Sequence, residues 1–339
     1  MNIWFNHWFS TAYHFIDMLK EKGYTIIATN ERPTCVYKMN ADKFYLEPVF
    51  EDKNDYLKLC LEFCEKENIN VFFPKRNLDI ITKNLKLFQS KNIVVICEED
   101  YALYDLLQSK VDTMIYFYNN DIKVNLPEMT IVNNVEDFKN EYARLIKKYP
   151  KLCVKYNKDE GGQSYKLITD RLPNINRISE NYGLAYSYEY IVECLSSVQY
   201  FDDLIIMPYL EGEEVSVDCL GLEDDLIAIP RYKLSNRVTR LVLEKDLIEI
   251  AKDFYKKSKL KGPFNLQFRY SNNELYLLEV NTRLSGGSWK AKYMGCEFPV
   301  LCVEKYLNKL QQLPKLDIDY IDISNIESAV VLERGNLND

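Results

Sequence analysis

The sequence predicts an α/β protein of several lobes, opening on a Rossmann-like parallel sheet and continuing into strand-rich α+β segments. Three observations predict it. The first hundred residues alternate short apolar runs with amphipathic stretches. The chain has 339 residues, 47% of them apolar, more than one small core takes up. Near the end, GPFNLQFRYSNNELYLLEVNTRLSGG over residues 262–287 reads as two strands carrying polar residues at every second position.

In chain order, the strand runs NIWF, TIIATN, VFFP and NIVVIC are separated by helical patterns over 10–22, 55–67 and 79–90, the alternation of parallel strands with crossover helices. The first turn reads FNHWFSTAY, without the glycines that let a backbone approach a pyrophosphate. This lobe is therefore Rossmann-like in pattern and not a nucleotide site. A helix is expected over 101–119, then strands and a helix over 135–148. KLCVKYNKDEGGQSYKLI reads as a hairpin, with one strand through Lys155, a polar loop holding Gly161 and Gly162, and a second strand from Tyr165. DDLIIMPYLEGEEVSVDCLG opens the last lobe, and IESAVVLER over 326–334 is expected to dock as a final strand. The expected lobes are 1–100, 101–200 and 201–339.

A formal net charge of -8 argues against a nucleic-acid surface, which needs a basic face. Nine cysteines with no CxxC pair fit scattered reduced thiols, with Cys60 and Cys64 packing one helical turn apart. The start MNIWFNHWFS has no basic n-region before an apolar core, and no run reaches membrane-span length. A cytoplasmic protein without membrane or nucleic-acid partners is expected, with a homodimer as the commonest soluble assembly.

The chemistry concentrates in four places. If the two strands of 262–287 pair with polar faces aligned, Gln267, Glu279, Asn281 and Arg283 surround one spot with a carboxylate, two amide oxygens and a guanidinium, which suits Mg2+ and its phosphate ligands. The plain alternative for Glu279 is an ion pair with Arg283 or Arg269. Lys155 with the glycine loop suits a triphosphate, through a point charge and free backbone N–H groups; a surface lysine before a hairpin is the alternative. In IIMPYLEG the backbone of Met207, Pro208, Tyr209 and Leu210 can run along an adenine edge, Pro208 accepting through its carbonyl and Leu210 donating. Glu214 is placed on ribose hydroxyls or on a solvated turn, with Glu211 and Glu213 in solvent. His7 and His14 read as packing residues. No nucleophile elbow or His-based dyad is present.

With Lys110, Lys155 and its glycine loop, MPYLEGEE, NLQF and LEVNTR in that order, the chain resembles the ATP-grasp superfamily along its whole length. Within it, NLQF, LEVNTR and LSGGSWKAKYMG are similar to the synthetase halves of the carbamoyl phosphate synthetase large subunit. IWFNHWFS, LCVK, IMPYLEGEEVSVDCL and IPR are similar to the ATP-grasp proteins of tellurium-resistance-associated biosynthetic operons. The resemblance implies a pre-ATP-grasp domain, a small lid lobe and a large metal-carrying lobe, and an ATP-dependent, Mg-dependent carboxylate–amine ligase working through an acyl phosphate. A nucleotide-binding scaffold and a carboxylate kinase are the alternatives.

It also implies roles. Lys110 and Lys155 would touch phosphates, Met207 to Leu210 adenine, and Glu214 ribose. Gln267, Glu279 and Asn281 would hold Mg2+, with Mn2+ as its substitute, and Arg283 the transferred phosphoryl group. Ser285, Gly286 and Gly287 would meet the acyl phosphate or its carboxylate, and Arg231 the γ-phosphate. Two departures stand out: Tyr156 follows Lys155 where relatives have proline, and the loop carries Asp159 and Glu160. These acids would repel a triphosphate, so they are expected to point outward or to leave the loop less tightly closed.

Overall fold

The computed structural model describes residues 1–159, 162, 164–169, 184–235, 237–326 and 329–332. They form two compact units, each drawn from separated stretches of chain: Met1–Asp105, Val215–Leu266 and Asn281–Asp339 make the first, Leu106–Glu214 and Gln267–Val280 the second.

The first unit begins with the expected parallel sheet. Strands β1 (Asn2–Asn6), β2 (Thr25–Asn30), β3 (Lys43–Leu46), β4 (Ile69–Phe73) and β5 (Val94–Val95) lie in the order β3-β2-β1-β4-β5, every neighbouring pair parallel. Side-chain alternation sorts the strands onto two cores. Ile3, Phe5, Ile26, Ala28, Val71 and Phe73 enter one apolar cluster, while Trp4, Ile27 and Phe72 enter another, as a strand buried on both faces requires. Helices α1 (Ala12–Glu21) and α2 (Lys53–Lys66) cross between strands. The Asp52 side chain caps α2 by accepting from Asn54 N at 2.8 Å, and Cys60 and Cys64 are buried on its inner side.

The helix expected over 79–90 is two short ones, α3 (Leu78–Lys83) and α4 (Leu85–Gln89). At Asn84 the backbone leaves the helical region (φ -115°) while its side chain donates to the Ile80 carbonyl at 2.8 Å, the local competition that makes asparagine a helix breaker. The expected 101–119 helix is likewise broken, into α5 (Tyr101–Gln108) and α6 (Lys110–Asn119). Ser109 is extended there (φ -85°, ψ 120°), and its hydroxyl accepts from Asp112 N at 3.1 Å, starting a new helix with a serine cap.

The second unit holds β6 (Thr130–Val132), α7 (Val135–Leu145), β7 (Leu152–Tyr156), β8 (Lys166–Thr169), β9 (Ala185–Ser187), α8 (Tyr188–Leu195) and β10 (Leu204–Pro208). The strands are ordered β6-β10-β7-β8-β9. The expected hairpin is present as an antiparallel pair, Cys153 opposite Leu167 and Val154 opposite Lys166. Period two again separates two faces. Leu152, Val154, Leu204 and Ile206 pack under the helices, and Cys153, Ile205, Met207 and Leu210 form a smaller cluster with Val111, Tyr165, Tyr276 and Leu278.

The remaining strands are β11 (Glu214–Leu222), β12 (Asp225–Lys233), β13 (Val238–Val242), β14 (Phe264–Ser271), β15 (Glu274–Asn281) and β16 (Tyr320–Ser324). In the first unit β11, β12, β13 and β16 pair antiparallel in that order, and α9 (Lys245–Ser258) and α10 (Phe298–Tyr306) accompany them. Leu220, Ile227, Ile229 and Leu241 share one core with β1, α1 and α10. The final strand is β16, earlier than expected; among the described residues of 326–334 none is in a strand. IESAVVLER has the apolar character of a strand, but YIDIS upstream already fills the sheet edge beside β13.

Candidate functional site

In the second unit, strand alternation puts Lys155 on the face of β7 that carries Cys153, opposite Ile205 of β10. Lys155 is only 8% exposed. Burial pulls its pKa below the ordinary lysine value; Glu279 opposes that and the Lys110 ammonium adds to it. A cation kept in such a place needs anions beside it.

Lys110, the first residue of α6, is 3% exposed. Its Nζ donates to Asp159 Oδ1 at 2.7 Å and to the carbonyls of Asp159, Asn157 and Tyr156 at 3.2, 3.3 and 3.4 Å, with Glu279 Oε2 at 3.8 Å. The loop is fastened from below as well. Asn157 Nδ2 donates to Ser109 Oγ at 3.1 Å, and Val111 N donates to Asn157 Oδ1 at 3.2 Å. Asp159 therefore does not point outward. It turns inward onto Lys110, and its second oxygen accepts from the Ser164 amide at 3.2 Å and from the Ser164 hydroxyl. Burial raises the Asp159 pKa, but Lys110 and Ser164 more than offset it and the net shift is downward. The nearby ammonium draws this carboxylate inward. Glu160 and Gly161 lie outside the described residues; Gly162 has a left-handed backbone, φ 64°, open to glycine at no cost.

Met207 and Pro208 end β10 opposite Cys153 and Leu152. Tyr209 N then donates to the Lys151 carbonyl at 2.9 Å. Met207 and Leu210 are buried in the smaller cluster with Val111 and Leu278, and the Tyr209 ring lies 5.7 Å from the Arg269 guanidinium. Glu214 is half-buried at the head of β11; Glu211 and Glu213 are exposed, as expected. Gln267 on β14 is half-buried, and the Glu279 side chain is 20% exposed. The Glu279 carboxylate and the Gln267 amide oxygen are hard donors, the chemistry that suits a hard divalent cation.

In the first unit, β15 ends at Asn281. Arg283 is therefore carried by the bend beyond the strand and not by its alternation, a correction to the sequence expectation; its guanidinium lies 5.2 Å from the Phe9 ring. The turn that follows is built around Asp218, which sequence reading missed. Asp218 is 3% exposed. Its Oδ1 accepts from Asn265 Nδ2 at 2.8 Å and from Ser285 Oγ at 2.7 Å, and its Oδ2 accepts from Arg231 Nε at 3.0 Å. Arg231 Nη2 donates to Ser285 Oγ at 3.0 Å. Ser285, Arg231 and Asp218 are thus one network. Gly287 lies against it: a Cβ there would stand 2.5 Å from the Arg231 guanidinium. Gly286 is next to Thr11 and Phe9, with a Cβ 3.3 Å from Thr11 Oγ1. The one sequence signal for Asp218 was a carboxylate inside the apolar run VSVDCLG.

The two histidines take structural places. His14 stacks on Trp289 with centroids 3.8 Å apart, and His7, at φ 46°, has Nε2 3.8 Å from Glu31 Oε1. Burial lowers the pKa of both. Among the described residues, no helix is long and apolar enough to cross a membrane.

A parallel sheet, a second lobe whose strands pair antiparallel except β8 with β9, and a strand ending in Glu-Val-Asn make up a fold that this chain shares with solved ATP-grasp structures. The biotin carboxylase domain of 2-oxoglutarate carboxylase from Hydrogenobacter thermophilus, solved with MgADP, ADP and bicarbonate, is 17% identical with a TM-score of 0.63, over 92% of this chain and 70% of that one. L-amino acid ligase from Bacillus licheniformis is 13% identical with a TM-score of 0.63, over 91% of this chain and 76% of the other. N5-carboxyaminoimidazole synthetase from Staphylococcus aureus, complexed with ADP, is 16% identical with a TM-score of 0.62, over 93% and 79%. More narrowly, residues 200–329 match the family described as ATP-grasp in the biosynthetic pathway with Ter operon.

Proposed function

We propose that the protein is an ATP-dependent carboxylate–amine ligase. The observation that carries this reading is a pair of buried lysines, Lys155 and Lys110, with the Glu279 carboxylate 3.8 Å from Lys110 Nζ, in a chain whose fold is shared by an L-amino acid ligase and an ADP-bound synthetase. Lys155 and Lys110 bind the phosphates, and Gly161 and Gly162 are assigned to the same phosphates. Met207, Pro208, Tyr209 and Leu210 line the adenine, and Glu214 takes the ribose. Gln267, Glu279 and Asn281 would hold Mg2+, which would supply neutralisation of phosphate charge.

The substrate carboxylate oxygen attacks the γ-phosphorus in line as the bond to the β-phosphate oxygen breaks and ADP leaves. Lys155 and Arg283 face the charge that spreads over the phosphoryl oxygens, so positioning and electrostatics do the catalysis and no protein nucleophile is needed. An amine then attacks the acyl carbon, phosphate departs with the C–O electron pair, and the nitrogen loses a proton. Ser285, Gly286 and Gly287 sit at the acyl group, and Arg231 meets the γ-phosphate. Excluding water at this stage preserves the acyl phosphate.

The test is ADP release with Mg-ATP across a panel of carboxylates and amines, singly and paired. Turnover should require one of each and give a product lighter than their sum by one water. Glu279→Gln should abolish that turnover while the thermal melt is unchanged; retained turnover would remove Glu279 from the metal site. Turnover without any amine would make the protein a carboxylate kinase. A second reading, a nucleotide-binding scaffold without ligation, is favoured by one observation: Asp159 already occupies Lys110. It predicts saturable ATP binding with no ADP release from any pair.

A further inference from the structure

The sheet face that presents Asp218 and Arg231 also presents a second buried cation, Lys290. Register places them together. Arg231 is directly opposite Ser216 on β11 and Leu241 on β13. Asp218 is two residues on from Ser216, and Thr239 two residues back from Leu241, so both share Arg231's side of the sheet, each as its diagonal neighbour. Lys290, in the 3-10 helix Ser288–Met294, reaches this face by donating from Nζ to Thr239 Oγ1 at 2.6 Å. It is 7% exposed. Among the described residues its ammonium has no carboxylate within ion-pair distance.

Charge does not balance here. Asp218 is already shared among Arg231, Ser285 and Asn265, so one carboxylate faces two cations. A buried ammonium resting on a neutral hydroxyl is costly unless an anion arrives. Burial holds the Lys290 pKa down and Arg231 adds to that, with Asp218 opposing. Arg231 itself is held at Nε by Asp218 and at Nη2 by Ser285, which leaves Nη1. That nitrogen lies 2.5 Å from where a Cβ of residue 287 would stand, so a side chain at 287 would collide with the guanidinium and the glycine avoids it. The excess is one positive charge, which a carboxylate balances and a phosphate dianion overshoots.

We propose that Arg231 and Lys290 together bind the carboxylate of the substrate. The assignment rests on the ligase reading, gives Arg231 the carboxylate in place of the γ-phosphate, and adds Lys290 to the residues that select an anionic substrate.

The test uses the full chain without nucleotide and acetate as the probe, titrated against chloride at constant ionic strength. Trp289 is a built-in reporter, its ring 5.8 Å from Lys290 Nζ. Acetate should give a saturable fluorescence change that chloride does not. Lys290→Met should weaken acetate binding at least tenfold, and Lys290→Arg should restore most of it. If Lys290→Met does not fold, Arg231→Gln is read in the same way. Equal acetate affinity in the wild type and in Lys290→Met, or no saturable response in the wild type, would overturn the proposal; tighter binding of orthophosphate than of acetate would reassign the pair to the phosphoryl group. Acetate binding that persists while no carboxylate supports ADP release would sink the ligase reading and leave the anion site standing.

Discussion

Asp159 and Lys155 show how much a single side chain can decide here. Asp159 holds Lys110, so if Lys110 takes a phosphate as proposed, nucleotide binding has to displace an internal carboxylate. Asp159→Asn should therefore tighten ATP binding by about tenfold, the worth of one charge-assisted hydrogen bond, as read by calorimetry; unchanged affinity would mean that Lys110 keeps Asp159 when ATP is bound. Lys155 makes a pH prediction. Burial depresses its pKa, and Glu279, Lys110, Cys153 and Asp159 are the groups that act on it. Its charge is thus lost on raising the pH sooner than that of a solvated lysine near 10.4. ATP affinity should fall as pH rises through the depressed value, and Lys155→Arg, which stays charged, should move that fall to higher pH. The sequence already marked Lys155, Glu279 and the MPYL backbone, because an isolated charge or proline in an apolar strand has few structural uses. Asp218 escaped it because its significance lies in cross-strand register, where residues far apart in sequence become diagonal neighbours, and Lys290 because its partner Thr239 is 51 residues away.

At the scale of elements, the strands were the legible part and the helices the less legible one. Period two in β7, β10 and the first sheet reads directly from apolar runs buried on both faces. The helix breaks at Asn84 and Ser109 did not, since each depends on a side chain bonding locally in preference to continuing a helix that amphipathic spacing alone would extend. Between elements, close backbone approach fixes the segment after β10. Gly212 N donates to the Tyr270 carbonyl at 2.9 Å, and a Cβ at Gly212 would stand 2.6 Å from that same oxygen. Backbone cannot step aside as a side chain can. Gly212→Ala should cost about 1–3 kcal/mol, visible as a lower Tm and as weaker nucleotide binding through the shifted Tyr209 and Leu210.

For the whole molecule, sequence order is a poor guide to what folds together. Residues 1–105 look like a lobe of their own, yet Phe15, Ile16 and Leu19 of α1 bury themselves in a core completed by Leu220, Ile229, Phe298 and Val303. Cut off as a fragment, residues 1–105 should keep helical far-UV signal and lose near-UV signal and amide dispersion, because half of that core is missing. A sharply folded fragment would refute this. The second unit has the same debt in the other direction: Met207 and Leu210 pack with Tyr276 and Leu278, and the stretch Gln267–Val280 arrives only after the chain has travelled through β11 to β13. On a ribosome, then, neither unit can close until more than three-quarters of the polypeptide has emerged. The nascent chain must hold apolar strands in waiting, and long-range closure of this kind is slow and exposed to aggregation, so yield during synthesis should depend on chaperones and on growth temperature more than the finished protein's stability would suggest.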